Sequence, residues 1–357
     1  MNLLEIKGLH TQFETERGAV KAVNGVDLSI NKGEIVGLVG ESGSGKSVLA
    51  SSILRIVDGV GEIVDGDIRF KGDSLLDKSE REMQRIRGNR ISIAFQDAAG
   101  GLNPTVQVGE QVAEAIRLHQ DTGESVRLPA EIKRKILGAS KNTESWRKAI
   151  EMLESVRIPA PESRAEDFPH EFSGGMQQRA MIAMALSCEP DLLIADEPTT
   201  GLDVTIQAQI LDELQDLRDE FDTAVLLITH DLGVVSETCD RVNVMYAGEI
   251  VEKANTRELF DNPQHPYTQG LLQSTPRLDD PQSELMAIPG NVPDMIDITY
   301  ACHFAPRCPE STRECFENKP LFRSTGAEDH LVACHYRGGT ENLGPTPQNT
   351  VTGGDDA

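Results

Sequence analysis

The sequence predicts an α/β protein with a mainly parallel sheet and crossover helices. Short apolar runs of strand length alternate with segments of helical periodicity, as in the succession 191–195, 204–221 and 224–229. In addition, a glycine-rich loop, residues 40–47, follows the apolar run 35–39 and opens a helical segment. A loop between a strand and a helix is the context that a phosphate-binding loop requires.

The elements before residue 97 are mostly strands. Apolar and β-branched residues between turn residues predict strands at 3–9, 20–30, 66–70 and 91–95. The helix after the glycine-rich loop should begin at Lys46. From Thr105 to about Arg157, apolar residues recur at helical spacing, so we expect a helical subdomain, about 97–190, inserted between strands of the sheet.

Three regions follow from these patterns. Residues 1–270 should form the main domain, with the helical subdomain inside it. Residues 271–337 contain four cysteines and several prolines that interrupt any long element, so we expect a small C-terminal region there. The composition of residues 338–357, rich in Gly, Pro, Thr and acidic residues, predicts a disordered tail.

Charge and hydropathy exclude several classes of function. The chain of 357 residues has a net charge of −24, which repels nucleic acids and anionic lipids, so we expect no nucleic-acid partner. Its apolar stretches are far shorter than the roughly 20 residues that cross a bilayer, and its first residues lack a leader pattern. We therefore expect the protein on the cytoplasmic side. The acidity suits a salt-rich (halophilic) cytoplasm or an ordinary acidic cytosolic protein, and refolding in low salt distinguishes the two.

The glycine-rich loop has the residues that hold a triphosphate. Its glycines allow backbone conformations closed to other residues, so that successive N–H groups point at phosphate oxygens at a helix N-terminus. Lys46 adds positive charge for the β- and γ-phosphates, and the Ser47 hydroxyl is a ligand for Mg²⁺. The predicted ATP-binding loop comprises Gly40, Glu41, Ser42, Gly43, Ser44, Gly45, Lys46 and Ser47.

Polar residues that complete a hydrolytic site follow three other strands. The run 192–195 predicts a buried parallel strand that delivers Asp196, a Mg²⁺ ligand, to the edge where open α/β sheets bind ligands. Glu197 is the candidate general base for the attacking water. His230 follows the strand 224–229 and should emerge at the same edge, within reach of the γ-phosphate. Gln96 ends the strand 91–95.

A second anion site is predicted at Ser173, Gly174 and Gly175, which open the apolar helix 176–187. One ATP cannot easily use both anion sites within a monomer. The economical arrangement is a head-to-tail dimer, in which this segment of one subunit covers the γ-phosphate held by the phosphate loop of the other.

The six cysteines divide into two groups. Cys188 and Cys239 lie in apolar surroundings, as inert core thiols do. The others give four thiols to a short segment with little core of its own, and a reducing cytoplasm favours a structural metal over disulfides there. Their gaps exceed the about two to four residues usual in zinc sites, which favours a [4Fe–4S] cluster, with zinc and free thiols as alternatives. These four are Cys302, Cys308, Cys315 and Cys334.

Together these motifs resemble the ATP-binding subunits of ABC transporters. Residues 40–47 resemble the Walker A motif, 172–176 the signature motif, 192–197 Walker B and 200–203 the D-loop, with Gln96 as the Q-loop and His230 as the switch histidine. Residues 170–179, 196–204, 265–268 and 288–290 are similar to the oligopeptide and dipeptide importers. The resemblance covers residues 1 to about 336. Phe172, Met176 and Gly201 depart from the usual leucine, glutamine and alanine.

The resemblance implies a role for further residues. Phe13 would stack on adenine, and Asp203 of the D-loop would couple two ATP sites. Gln96 would join Ser47 and Asp196 at Mg²⁺.

The resemblance also implies partners and a cargo. A second homologous ATPase subunit, two transmembrane permeases and an external peptide-binding protein would work with this chain at the cytoplasmic face of the membrane. ATP binding would close the ATPase dimer and hydrolysis would reopen it, which drives import of di- or oligopeptides. The same engine importing nickel or sugars, and a soluble ABC ATPase without a transport role, are the alternatives.

Overall fold

The computed structural model describes residues 2–120, 143–274, 288–296, 298 and 300–339. The strands in these ranges are β1 (Asn2–Thr15), β2 (Gly18–Asn31), β3 (Ile35–Val39), β4 (Gly61–Phe70), β5 (Asp73–Ser74), β6 (Ile91–Ala94), β7 (Leu192–Asp196), β8 (Ala224–Thr229), β9 (Arg241–Tyr246), β10 (Glu249–Asn255), β11 (Phe322–Ser324) and β12 (Leu331–Ala333).

Helices surround these strands. They are α1 (Lys46–Leu54), α2 (Glu80–Gln84), α3 (Ala98–Gly101), α4 (Val108–His119), α5 (Glu144–Ser155), α6 (Pro161–Arg164), α7 (Gly174–Leu186), α8 (Val204–Phe221), α9 (Leu232–Thr238), α10 (Thr256–Asp261), α11 (Pro266–Ser274) and α12 (Arg313–Glu317), with a 3₁₀ turn at Pro169–Glu171. No helix in the described ranges is both long and apolar enough to cross a membrane.

The central sheet confirms the predicted parallel α/β core. Its strand order is β11-β12-β10-β9-β3-β8-β7-β6, and the strands from β9 to β6 pair in parallel. Every residue of β3, β7 and β8 is buried. This burial explains their continuous apolar runs, because parallel strands are covered on both faces. The carboxyl ends of β3, β6, β7 and β8 therefore meet at one edge, where the predicted site residues lie.

The first strands form a separate antiparallel sheet, in the order β2-β1-β4-β5. Here the predicted bounds are too short: β1 and β2 have 14 residues each, and β4 begins at Gly61. The extra residues pair across the ladder through several register shifts. Such irregular pairing has no clear alternation of apolar and polar residues, so the sequence pattern does not reveal it.

The predicted helical insertion is confirmed. Helices α3 to α7 lie in the chain between β6 and β7, and their apolar side chains share one buried core, which includes Val112, Trp146, Leu153 and Ile182. Residues 121–142 of this insertion lie outside the described residues. The proposed bounds of the three regions stay predictions.

The C-terminal region packs on the main body of the fold. Its strands β11 and β12 extend the central sheet beyond β10. Phe304 packs against Tyr246 and Tyr267, with ring centroids 5.2 and 5.4 Å away. The predicted disordered tail, 338–357, lies outside the described residues from 340 onward.

A buried histidine joins this region to β10. His330 is fully buried, with Nε2 2.8 Å from Glu252 Oε1 and Nδ1 3.3 Å from Glu258 Oε1. Burial lowers the pKa of His330, but the hydrogen bonds and charges of Glu252 and Glu258 outweigh burial, so this pKa lies above its ordinary value. The protonated histidine thus stabilises the contact.

We expect the free energy of unfolding of the wild type to fall, relative to a His330→Gln variant, as the pH rises above 6.5. Because the pKa of His330 is raised in the folded state, its contribution is complete below the unfolded-state value of 6.5 and is lost as the pH rises through the folded-state value. Urea unfolding of both proteins across this pH range measures the difference. A difference that does not change with pH would contradict the prediction.

Candidate nucleotide-binding site

The phosphate loop connects β3 to α1 and is closely packed from behind. A Cβ atom at Gly40 would lie 2.1 Å from the carbonyl oxygen of Met245, and one at Gly45 would lie 2.1 Å from that of Ala22. Both positions therefore require glycine. Of the other loop residues, Ser42, Gly43 and Ser47 are exposed, Glu41 is partly exposed and Ser44 is buried.

We expect Gly45→Ala to weaken ATP binding by about tenfold or more. The added methyl group meets the Ala22 carbonyl, and the φ of +104° at this position costs a residue with a Cβ about 1–2 kcal/mol. Calorimetric titration with ATP and Mg²⁺ measures the change. Gly72→Ala is the matched control, because Gly72 has φ +90° but open space around it. Equal affinities of Gly45→Ala and the control would contradict this account.

Lys46 lies beneath the loop and faces the acids at the end of β7. Its buried Nζ donates to the carbonyl oxygens of Gly40 (2.8 Å) and Glu41 (3.1 Å). Burial lowers the pKa of Lys46, while the charges of Glu197 and Asp196 oppose this shift. The lysine and the two acids therefore lie at one edge of the sheet.

Ser47 and Asp196 form a donor set for a divalent cation. Burial raises the pKa of Asp196, and the neighbouring Ser47 hydroxyl opposes this shift. Within the described residues, the buried Oδ1 of Asp196 has no hydrogen-bond partner. A carboxylate oxygen and a hydroxyl are ligands that Mg²⁺ prefers, so this pair fits the ion.

Glu197 is the centre of a hydrogen-bonded group. Its Oε2 accepts from Gln96 Nε2 at 2.9 Å and from Thr200 Oγ1 at 2.8 Å, and its Oε1 lies 3.3 Å from His230 Nδ1. The backbone of Glu197 has φ +47°, a left-handed conformation uncommon for a residue with a side chain. The structure thus brings the three predicted catalytic side chains together around one strained strand end.

Phe13 lies on β1, opposite Val20 of β2. Two residues further along β2, the Ala22 carbonyl packs against Gly45 of the phosphate loop. The aromatic ring also covers Gly61, where a Cβ atom would lie 2.6 Å from it. The antiparallel sheet therefore carries Phe13 to the side of the parallel sheet that holds the phosphate loop.

The second predicted anion site stands at the N-terminus of α7. Ser173 caps this helix, because its Oγ accepts from the Met176 backbone N–H at 3.4 Å. Gly175 lies against α8, where a Cβ atom would be 2.9 Å from Ile206 Cγ2. Close helix packing therefore gives Gly175 a structural reason to be glycine.

A cavity of about 430 Å³ opens beside this segment. It is lined by residues 173–176 and by the D-loop, including Asp203, which caps α8 through a 3.0 Å hydrogen bond from the Ile206 N–H. Arg157, which the sequence did not single out, also lines it. None of its lining residues belongs to the phosphate loop. The two anion sites of this chain therefore face different spaces.

Three further residues at the site were not assigned a role from the sequence. Thr200 donates to Glu197, the Tyr267 hydroxyl accepts from the Glu41 N–H at 2.8 Å, and Arg307 pairs with the Glu41 carboxylate. Thr200 belongs to the D-loop motif, which gave a signal for it. Arg307 stands outside every phosphate-site motif, so no short pattern could have identified it.

The four C-terminal cysteines line one small cavity of about 20 Å³. His265 and Phe304 complete part of its wall. All four have free thiols. No three His, Cys, Asp or Glu side chains among the described residues are placed to hold a single metal ion. The other two cysteines, Cys188 and Cys239, are buried elsewhere, and burial raises the pKa of both thiols, as expected of inert core residues.

Comparisons with known proteins agree with this geometry. The ABC transporter family model matches residues 23–200, and the model of the oligopeptide/dipeptide transporter C-terminal region matches residues 251–315. The probable peptide ABC transporter ATP-binding protein y4tR of Sinorhizobium fredii is 48% identical over 96% of this chain and 97% of its own length. The oligopeptide transport ATP-binding protein AppD of Bacillus subtilis is 46% identical over 89% of this chain and 92% of its own.

Solved structures give the same fold. The dimeric structure of MJ0796, a bacterial ABC transporter cassette, matches with a TM-score of 0.59 and 26% identity over 71% of this chain and 99% of that one. Fold and site together define an ATP-hydrolysing cassette, which uses ATP with Mg²⁺. The chain belongs to the ABC transporter ATP-binding proteins, in the branch that carries the oligopeptide/dipeptide transporter C-terminal region. Members of this class dimerise and act with permease components.

Proposed function

We propose that this protein hydrolyses ATP to power the import of di- and oligopeptides, as a peripheral subunit at the cytoplasmic face of the membrane. The observation that carries the proposal is the match of residues 251–315 to the oligopeptide/dipeptide transporter C-terminal region, in a chain whose phosphate loop contacts Tyr267 and Arg307 of that region. The names of the relatives, which are 46–48% identical, support peptide as the cargo.

The active form in this proposal is a head-to-tail dimer with a second homologous ATPase subunit. ATP binds between the phosphate loop of one subunit and Ser173, Gly174 and Gly175 of the other. Two features support this arrangement: the cavity at Ser173 has no phosphate-loop residue in its wall, and a helix N-terminus attracts phosphate. Asp203 lies beside this cavity and would link the two ATP sites.

Within each ATP site the side chains take separate roles. The loop from Gly40 to Ser47 binds the phosphates and Phe13 stacks on adenine. Ser47, Asp196 and Gln96 would hold Mg²⁺, which would neutralise phosphate charge. Glu197 orients and polarises the attacking water, and His230 contacts the γ-phosphate. The hydrogen bonds of Gln96 and Thr200 to Glu197 support these roles, because they fix the direction of its carboxylate.

Two transmembrane permeases complete the proposed importer, together with an external peptide-binding protein. We place permease docking in the region after Gln96. Phe95, directly before it, is 44% exposed and so offers apolar surface to a partner. Closure of the ATPase dimer on ATP would then move the permeases between inward- and outward-facing states.

Reconstitution of the chain with its permeases and ATPase partner in liposomes tests this function. We expect ATP-dependent uptake of a radiolabelled tri- or tetrapeptide, and ATPase activity that rises when the peptide-loaded binding protein is added. Nickel ions and sugars are tested in parallel. Uptake of either without peptide uptake would show that nickel or a sugar, and not peptide, is the cargo. ATPase activity that does not change when the permeases and the binding protein are added would favour a soluble ATPase without a transport role.

We also propose that Cys302, Cys308, Cys315 and Cys334 hold a structural [4Fe–4S] cluster. They line one cavity, which supports a shared ligand, and their wide gaps along the sequence suit a cluster better than a single zinc ion. The cluster would cross-link a region with little apolar core.

Anaerobic purification followed by iron, sulfide and zinc analysis tests the cluster. We expect iron and sulfide in equal amounts, lost in a Cys308→Ser variant and retained in the matched control Cys188→Ser. Zinc without iron would show that the cysteines bind zinc and not a cluster. The absence of both metals would show that they are free thiols.

A further inference from the structure

A buried arginine of the C-terminal region binds a glutamate of the phosphate loop. Arg307 Nη1 donates to Glu41 Oε2 at 2.6 Å, and Arg307 Nη2 donates to Glu41 Oε1 at 3.0 Å. The side chain of Arg307 is 6% exposed. Two parallel charge-assisted hydrogen bonds are the geometry in which a guanidinium binds a carboxylate most strongly, and burial protects them from salt.

Contacts other than the one with Glu41 also hold the guanidinium in place. Its Nε donates to the Pro289 carbonyl at 2.8 Å and its Nη2 to the Ile288 carbonyl at 3.3 Å. The rings of Tyr246 and Phe304 lie 5.7 and 5.9 Å from its central carbon. Such a fixed side chain loses little further freedom when it binds a carboxylate.

Glu41 is therefore anchored at each of its polar groups. Its carboxylate is bound by Arg307, its backbone N–H donates to the Tyr267 hydroxyl at 2.8 Å, and its carbonyl accepts from Lys46 Nζ at 3.1 Å. Arg307 and Tyr267 both lie outside the part of the chain that matches the ABC transporter model. The C-terminal region thus helps to shape the phosphate loop.

Charge gives this contact a consequence for the nucleotide. Glu41 places a carboxylate in the loop that we propose binds a triphosphate, and a negative charge in that loop repels the negative phosphates. We propose that Arg307 is a positioning residue for ATP: it neutralises Glu41 and fixes the loop, and so sets the affinity of the site. This inference rests on the proposed ATP-binding role of the loop.

Calorimetric titration of the full-length protein with ATP and Mg²⁺ tests the inference. We expect Arg307→Ala to weaken ATP binding by about tenfold or more, because the Glu41 carboxylate is left without its partner. The double variant Arg307→Ala/Glu41→Gln should return to within about threefold of the wild type, because glutamine carries no charge. Arg307→Lys, which keeps the charge but not the paired bonds, should fall between the wild type and Arg307→Ala.

Arg313→Ala is the matched control, because it removes an exposed arginine–glutamate pair from the same region. It should bind ATP as the wild type does. If Arg307→Ala does not fold, Arg307→Gln with and without Glu41→Gln makes the same comparison, because glutamine also removes the positive charge but fills more of the space.

Two results would overturn the inference: unchanged affinity in the Arg307 variants, or no recovery on adding Glu41→Gln. Failure of the wild type and of Arg313→Ala to bind ATP would instead refute the proposed function.

Discussion

Replacement of Glu197 by glutamine is expected to cut ATP turnover by about 10²–10⁴ while ATP binding is retained, which is the usual effect of losing a positioned base. Glutamine keeps the size of the side chain and one acceptor oxygen for Gln96 and Thr200. It cannot take the proton of the attacking water. Steady-state phosphate release and calorimetric ATP titration measure the two quantities separately.

Glu220→Gln is the control for this variant. Glu220 is an exposed carboxylate on α8, outside the hydrogen-bonded group around Glu197, so the turnover number should not change. If Glu197→Gln hydrolysed ATP as fast as the control, Glu197 would not be the base. If it lost ATP binding as well, its role would be structural.

The second large effect is on stability. Glu213→Ala should lower the free energy of unfolding by about 3–5 kcal/mol, because it leaves a buried arginine without its counter-charge. Arg179 Nη1 lies 2.9 Å from Glu213 Oε1, and the two side chains are 11% and 4% exposed. Burial raises the pKa of Glu213 to about 6, with Arg179 opposing, so the carboxylate is ionised at neutral pH, where urea unfolding should be measured.

Asp216→Ala provides the comparison, one turn further along α8. Asp216 pairs with Arg157 at 2.8 Å, but both side chains are more than half exposed, so we expect a loss below about 1 kcal/mol. Similar losses in the two variants would show that burial does not govern the Arg179–Glu213 pair. The pair joins the helix after Ser173 to the helix after Asp203, and so stiffens the wall of the proposed second anion site.

The functional residues at the edge of the parallel sheet could be predicted because short local segments of the sequence indicate them. Each strand there is a short buried run, and the functional residue follows at its carboxyl end: Lys46 after β3 and the phosphate loop, Asp196 with β7, and His230 after β8. Parallel strands place those ends side by side. The hydrogen bond from Gln96 to Glu197 and the contact of Glu197 with His230 follow from that arrangement.

The contacts missed by the sequence depend on distant pairing. Arg307 and Glu41 are 266 residues apart, and neither lies in a pattern that indicates the other. Likewise, the antiparallel ladder of β1, β2 and β4 contains register shifts that the pattern of apolar and polar residues does not indicate. Hydrogen bonds of this kind form after the chain has folded back on itself, so single-segment preferences do not encode them.

The sequence by itself determined the class of protein, because binding phosphate needs a few residue types at fixed short spacing: glycines, Lys46 and Ser47 in one loop, and two acids at the end of one strand. The tertiary structure decided how that loop is supported. It gathers Tyr267 and Arg307 around Glu41 and four cysteines around one cavity, since packing and charge neutralisation act between side chains that meet in space, whatever their separation along the chain.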